Sequence, residues 1–366
     1  MAPFYCVETA ESVTELLALT EDWEKLEARD PEASVFVSHD WLAPVLINHE
    51  GRWRVYLVRR GVEPVALLPV VLRTVWCREA KRLRTRIDSA GVLAGVPTGL
   101  LVDPRHAEGA LEALGHALRA RPWAELRLSG LSAERADALG ADLLGAGTAT
   151  SAAPEAALAV PLPETYEDFV KTRFSSSTRF EIRGYTRREL RSCGWQLVFS
   201  TEDTLERDID RLLSKHLKAW AVRDGATAAH ERGEEMRHLL RRAFSEDALA
   251  LIVLKRGDEV IASAAHLVDR AGGEMRAVLL DTAPGDTATL FLTAMSIAWG
   301  IEQGLAHYRF NNEDSSWCER FGAEPVGLHG LEVTRRLQTE EAGFDRPGLA
   351  RTPLPATRNG GSPLYA

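Results

Sequence analysis

Two stretches of this 366-residue chain repeat one pattern, and the repetition constrains the fold more than any other feature of the sequence. Residues 53 to 72, WRVYLVRRGVEPVALLPVVL, form two β-rich runs about a charged glycine turn, and residues 249 to 268, LALIVLKRGDEVIASAAHLV, have the same layout. Each predicts an antiparallel hairpin. The segments after the hairpins also recur: a short apolar run ending in an acid (GLLVD to Asp103, AVLLD to Asp281), a polar break, a helical stretch, and a strand-like run (AELRL to Leu128, AHYRF to Phe310). Apolar spacings of three and four predict helices ahead of the hairpins, over 12–26 and 41–48 in the first copy and over 166–173, 179–193, 205–223 and 234–243 in the second. The fold class this implies is α/β (α+β): two tandem units, each a mixed, mainly antiparallel sheet flanked by helices.

Length agrees with two units, since single cores rarely grow past roughly 250 residues. The expected domains are 1–162 and 163–337, divided near Pro163 after an Ala-, Gly- and Pro-rich stretch (145–164) whose middle reads as a strand. Residues 338–366 lack an apolar period and are dense in Gly and Pro, the composition of an irregular or mobile tail. No run of 18 apolar residues occurs, and the N-terminus lacks a basic leader and an apolar signal core, so a cytoplasmic chain with no membrane partner is expected. Cys6, Cys77, Cys193 and Cys318 are scattered without a CxxC, which predicts neither a zinc site nor a disulfide framework.

The net charge of −9 gives no general attraction for polyanions, yet two basic islands stand out. Residues 73–86 hold Arg73, Arg78, Lys81, Arg82, Arg84 and Arg86 against Glu79, and residues 171–191 hold seven basic residues against Glu181 and Glu189. Helices, a central hairpin, then strand, loop, helix and strand is the order of the GNAT acyltransferase fold. In tandem it resembles the branch containing Fem-type aminoacyl transferases and the CelD-like or BioF2-like acetyltransferases. FVSHDWL (36–42), EPVALLPVVL (63–72), RFEIRGYTRRELRSCGW (179–195) and IEQGLAHYRFNNEDSSWCERFG (301–322) are similar to strings of those families. The chain departs from them at Arg309-Phe310, where the family ending has Asp-Phe, and at Glu319-Arg320, where it has Tyr-Lys. After Asp281 the loop APGDTAT carries one glycine, too few for the usual coenzyme A pyrophosphate cradle, which needs backbone N–H groups brought close to phosphate.

The candidate site residues are chosen by position and chemistry. Asp281 ends a strand beside the loop that opens a helix; it could orient or deprotonate an attacking amine, or cap the helix near Thr287 as Asp103 would in the first copy. Asn311, Asn312, Glu313 and Asp314 could grip a polar acceptor, with Asn311 and Glu313 in catalytic roles, or form an Asx turn. Arg320 is a forked anion contact, and Arg179, Arg183 and Arg187, four residues apart, line one helix face that could meet a donor's phosphates or be solvated beside Glu181 and Glu189. His216 and Trp220 could belong to an acceptor pocket or to helix packing, and His266 could carry a proton or sit hydrogen-bonded in the core.

The reading these support is an N-acyltransferase that moves an activated acyl or aminoacyl group onto an amine of a small or peptide-like acceptor. No metal and no tightly bound cofactor is expected; the co-substrate is an aminoacyl-tRNA, favoured by the basic faces and the glycine-poor loop, or an acyl-coenzyme A. A tRNA is the expected macromolecular partner. A ligand-binding module that kept the fold and lost catalysis is the alternative of a different class.

Overall fold

The computed structural model describes residues 5–77, 81–93, 96–143, 148–154, 158–190, 194–281, 287–310, 315–325 and 328–335. The first half builds β1 (Tyr5–Ala10), β2 (Arg52–Arg60), β3 (Glu63–Cys77), β4 (Arg82–Ser89), β5 (Leu101–Val102), β6 (Glu125–Ser132) and β7 (Thr148–Pro154). The second builds β8 (Leu158–Pro161), β9 (Trp195–Phe199), β10 (Leu249–Arg256), β11 (Glu259–Asp269), β12 (Glu274–Asp281), β13 (His307–Arg309), β14 (Glu324–Pro325) and β15 (Leu328–Arg335). Helices α1 (Val13–Ala18), α2 (Thr20–Glu27), α3 (His39–Ile47), α4 (Ala107–Arg119) and α5 (Ala133–Leu143) precede α6 (Tyr166–Arg173), α7 (Ser176–Tyr185), α8 (Leu205–Asp224), α9 (Ala226–Ser245), α10 (Thr287–Glu302) and α11 (Ser315–Glu319).

Among the described residues the strands form two mixed sheets, ordered β1-β2-β3-β4-β6-β15-β7 with β5 against β3, and β14-β8-β13-β12-β11-β10-β9. Both hairpins form where the sequence predicts them. Their turns place Gly61 and Gly257 at φ 64° and 57°, a region that costs glycine nothing and other residues strain. In each sheet one parallel pair, β4 with β6 and β12 with β13, interrupts antiparallel ladders.

Two strands cross the boundary expected at Pro163. β8, ahead of it, pairs with β13 and β14 in the second sheet. β15, far beyond it, inserts between β6 and β7 in the first. The two sheets are therefore laced together by the chain at both ends. Other differences are local. The helix expected over 12–26 is two, α1 with a Ser12/Glu15 capping box and α2 starting after Leu19. The helix expected over 179–193 begins at Ser176, where Ser175 caps it, and ends in a π turn over Thr186–Leu190. The basic island 73–86 is the far end of β3 and the start of β4, paired from Val70↔Ser89 to Cys77↔Arg82. Arg78 of that island, residues 191–193 of the expected helix and the tail 338–366 lie outside the described residues.

The cores follow the same lacing. The helices α1 to α3 pack around Trp23 and Trp41 together with Leu239, Ala243, Ala248 and Leu267 of the second half. α10, α6 and α7 cover one face of the second sheet through Phe169, Phe291, Ile297 and Phe321, and α8 with α9 covers the other through Leu212, Leu213, Leu251 and Leu279. Leu331 of β15 is buried in the core of the first sheet among Leu126, Leu139 and Leu143. Leu331→Ala should lower the unfolding free energy by about 2–5 kcal/mol in urea titration, the cost of a core cavity, although the residue comes from the C-terminal end of the chain.

Candidate functional site

The register of β11 and β12 decides which side chains share a face. Ser263 stands opposite Asp281, Ala265 opposite Leu279, Leu267 opposite Arg276 and Asp269 opposite Glu274. Residues two apart on a strand face the same way, so these eight lie on one face, the one covered by α8, α9 and the first half of the chain. The count works only because Val278 is the extra residue of a β-bulge between Ala277 and Leu279.

Asp281 is buried, and its Oδ1 lies 2.9 Å from Lys215 Nζ of α8. The lysine's side chain is 59% exposed, so the pair joins a buried carboxylate to a cation at the surface. Across the ladder, Ser263 is buried with its Oγ lacking a hydrogen-bond partner. The end of β12 thus carries a buried carboxylate paired to an ammonium, with a buried serine at the register position opposite. Sequence reasoning misses Lys215 and Ser263: the lysine is one of several charged residues on an amphipathic helix, and nothing local marks its reach.

The remaining candidate residues fall into three groups. The rings of His216 and Trp220 are in tilted contact, centroids 5.5 Å apart, and Trp220 is buried under the Arg232 guanidinium at 4.5 Å, in the packing between α8 and α9. Arg179 and Arg183 on α7 have no ion-pair or hydrogen-bonding partner for their side chains among the described residues, and Phe180 between them is 80% exposed. Arg187 lies on the π turn. Arg320 donates from Nη2 to Glu181 at 2.5 Å and lies over Trp317, so its charge is met by the acid on α7 that the sequence suggested as a partner for the basic helix. Asn311, Asn312, Glu313 and Asp314 lie outside the described residues. Asp103 accepts from the Arg105 backbone N–H, the capping role considered for it.

His266 is fully enclosed in the second sheet, with Nε2 3.0 Å from the Tyr308 hydroxyl and Nδ1 3.3 Å from the Ala250 carbonyl oxygen. Burial pushes its imidazole down to about 4, so it stays neutral near pH 7 and holds the sheet rather than carrying protons.

A cavity of about 190 Å³ opens on the same face of β12, between the loops at 31–36 and 97–100 and the residues Asp269, Glu274, Arg276 and Arg309. Arg309 donates to Glu274 from Nε at 2.7 Å and from Nη2, and Arg276 donates to Glu274 at 3.2 Å. These two guanidinium groups hold the Glu274 carboxyl below its ordinary range although its burial acts strongly the other way. On the first-sheet side Arg135 is held by Asp30 at 2.6 and 3.0 Å and reaches Glu32 at 3.2 Å. A second cavity, about 180 Å³, lies on the first sheet among Arg52, Arg54, Thr85 and Arg121. Among the described residues no cluster of three His, Cys, Asp or Glu side chains is placed to hold a metal, and no helix is long and apolar enough to cross a membrane.

Residues 176–317 match the family model of the acetyltransferase (GNAT) domain. The fold is similar to FemX, with a TM-score of 0.55 and 12% identity over 88% of this chain and 96% of that one. It is also similar to the C-terminal domain (DUF2156) assigned to a lysylphosphatidylglycerol synthetase from Agrobacterium fabrum, with a TM-score of 0.50 and 12% identity over 88% and 92% of the two chains. A tandem GNAT protein from the clavulanic acid biosynthesis pathway gives a TM-score of 0.50 and 12% identity over 90% and 98%. No curated protein sequence matches the chain. The architecture is thus that of the tandem GNAT fold, and the part of the second half from 176 to 317 matches the GNAT acetyltransferase domain.

The unfolded chain takes up a proton at an ordinary histidine value and the folded chain does not until near pH 4, so His266 should subtract stability as pH falls below about 6.5. The loss should approach on the order of 3 kcal/mol by pH 4. Urea titrations of wild type and His266→Gln between pH 7.5 and 4.5 should diverge in slope, the variant lacking this component.

Proposed function

We propose that the chain is an N-acyltransferase that moves an activated acyl or aminoacyl group, with an aminoacyl-tRNA as donor, onto an amine of a small or peptide-like acceptor. The observation that carries this reading is the Lys215–Asp281 pair, a buried carboxylate at the C-terminal end of β12 within the segment matched by the GNAT model. An amine attacks a carbonyl only as the free base. In this reading Asp281 orients the amine and takes its proton, and Lys215 fixes the carboxylate. The Ser263 hydroxyl, directly across the ladder, donates to the oxygen on which charge develops. The new C–N bond forms as the donor's C–O bond breaks, and the amine's proton leaves with the departing oxygen. Asn311 and Glu313, with Asn312 and Asp314, come after β13 in sequence and supply polar contacts to the acceptor. His216 and Trp220 act behind Lys215, by holding α8 in place.

The donor assignment rests on α7. Arg179 and Arg183 keep their charge for a ligand, and Phe180 offers a face on which a base can stack, the combination by which proteins take up single-stranded nucleic acid. Arg187 extends that ridge in sequence, whereas Arg320 is committed to Glu181 and serves to fix α7. The name of the lysylphosphatidylglycerol synthetase that shares the fold points the same way, to transfer of an aminoacyl group. A second reading, an acyl-coenzyme A donor, is favoured by the acetyltransferase description of the matched family and by the tandem GNAT protein whose description refers to AcCoA.

Donor binding and turnover measured with charged tRNA and with acetyl-coenzyme A at matched ionic strength, over a panel of primary amines, separate the readings. Asp281→Asn should lower kcat by roughly 10²–10⁴ with the melting temperature nearly unchanged. A stable variant with full kcat would reduce Asp281 to a structural role, and no transfer from either donor would leave a binding module. Arg179→Glu with Arg183→Glu should raise the KM for tRNA and flatten its salt dependence by about two phosphate contacts, while leaving acetyl-coenzyme A unaffected.

A further inference from the structure

The 190 Å³ cavity between the sheets is built from charges that almost, but not wholly, satisfy one another. Arg135, Arg276 and Arg309 face Glu32, Asp269 and Glu274, three of each sign. Arg309 has only 7% of its side chain exposed, and with Nε and Nη2 given to Glu274 its Nη1 is buried without an acceptor. A buried guanidinium N–H left unmet is unfavourable, because it has lost its water and gained no acceptor. Asp269 has the converse vacancy. It is buried and accepts the backbone N–H groups of Val35 at 3.2 Å and Gly272 at 2.9 Å, yet no cationic side chain forms an ion pair with it among the described residues. Burial accordingly pushes its carboxyl above the ordinary range. Both groups flank Glu274, Asp269 directly across the ladder and Arg309 on its carboxylate, and both line the cavity.

We propose that this cavity binds a small zwitterion of the α-amino-acid type, its carboxylate on the free Nη1 of Arg309 and its ammonium on Asp269. Glu274 keeps the Arg309 fork oriented, and Arg276 and Arg135 offset the remaining acids, so that neither a bare anion nor a bare cation is accommodated as well as a molecule carrying both charges. The site is separate from Asp281. Asp269 and Ser263, the residue opposite Asp281, are six positions apart on β11, about 20 Å at roughly 3.3 Å per residue, too far for an α-amino group bound at Asp269 to be the one that reacts at Asp281. Asp269 also ties β11 to the first half of the chain through the Val35 N–H.

Calorimetric titration or ligand-detected NMR of the full chain at pH 7 with L-alanine, propionate and ethylamine tests the assignment. L-Alanine should bind in the millimolar range and at least tenfold tighter than either single-charge probe. Asp269→Asn should bring L-alanine down to the level of propionate and leave propionate unchanged; Arg309→Lys should weaken L-alanine and propionate together. Equal binding of the three probes, no binding of any, or a folded Asp269→Asn that retains the L-alanine preference would each overturn the proposal. Should either variant fail to fold, the wild-type probe series still decides. None of these measurements needs acyl transfer to occur, so failure of the enzyme assignment and failure of this site are distinguishable.

Discussion

One extra residue in β12 decides which face of the second sheet Asp281 occupies. Counting strictly by two from Glu274 and Arg276, Asp281 would fall on the opposite face, among the apolar side chains that α10 covers. The bulge at Val278 shifts the count by one, and Asp281 comes to stand opposite Ser263, facing α8. The same face then carries, in order, the charged cavity, the apolar contact of Leu279 with α8 and α9, and the Lys215–Asp281 pair. The place of Asp281 beside Ser263 and Lys215 depends on that shift. A bulge also disrupts a ladder, and its persistence here is a local cost sustained by the cross-strand pairs on either side.

The buried charges serve the same arrangement. Isolating a carboxylate such as Glu274 from water is unfavourable by several kcal/mol, and only the two guanidinium groups of Arg276 and Arg309 make its ionised form the stable one. Asp30 is hydrogen-bonded by Arg135, with Val102 N–H and Glu32 N–H as further donors. A hydrophobic substitute at either place could be as stable. What charge contributes instead is direction: a guanidinium fork bound on one edge points its remaining donors along a fixed line. The loop at 30–36 is held to the first sheet by Asp30 and to the second by Val35 and Asp269, so the space between the sheets has rigid walls on both sides.

Much of this fold was legible because hairpins and amphipathic helices are written in local periods. The repeated run–Gly–run pattern located β2/β3 and β10/β11, and the spacing of leucines located α8 almost to the residue. The exchange of β8 and β15 was not legible. β15 pairs with strands 175 or more positions earlier, and such pairings are chosen by the assembled sheet edge rather than by any local pattern. The island at 73–86 was legible as a cluster of charge but not as strand, because its arginines interrupt an apolar run. In β4 Arg82, Arg84 and Arg86 alternate with Leu83, Thr85 and Ile87, the period of a paired strand. Of the site, Asp281 was found from its place at a strand end. Lys215 was not, because it acts across 66 positions and carries no local mark. Arg320 was recognised as an anion partner, but its anion is Glu181 of the same chain. The charges around Glu274 stand in a sequence, GGEMR, that reads as an ordinary turn and strand start.

The net charge of −9 stands against a polyanionic donor only if charge is felt globally. At physiological ionic strength the screening length is about 8 Å, so acids more than one or two side-chain lengths away contribute little to the field at a bound phosphate. What matters is which cations remain uncommitted nearby. Arg73 and Arg86 are drawn to Asp88, Arg59 to Glu8 and Asp22, and Arg241 to Glu206. Among the described residues Arg179 and Arg183 are committed to nothing, and the nearest acid on their helix, Glu181, is itself taken by Arg320. That last pair removes the repulsion a phosphate would meet on α7 without consuming any of the helix's own arginines. An acidic chain can thus present a cationic ridge, and the acidity elsewhere slows long-range capture of a polyanion more than it weakens the bound state.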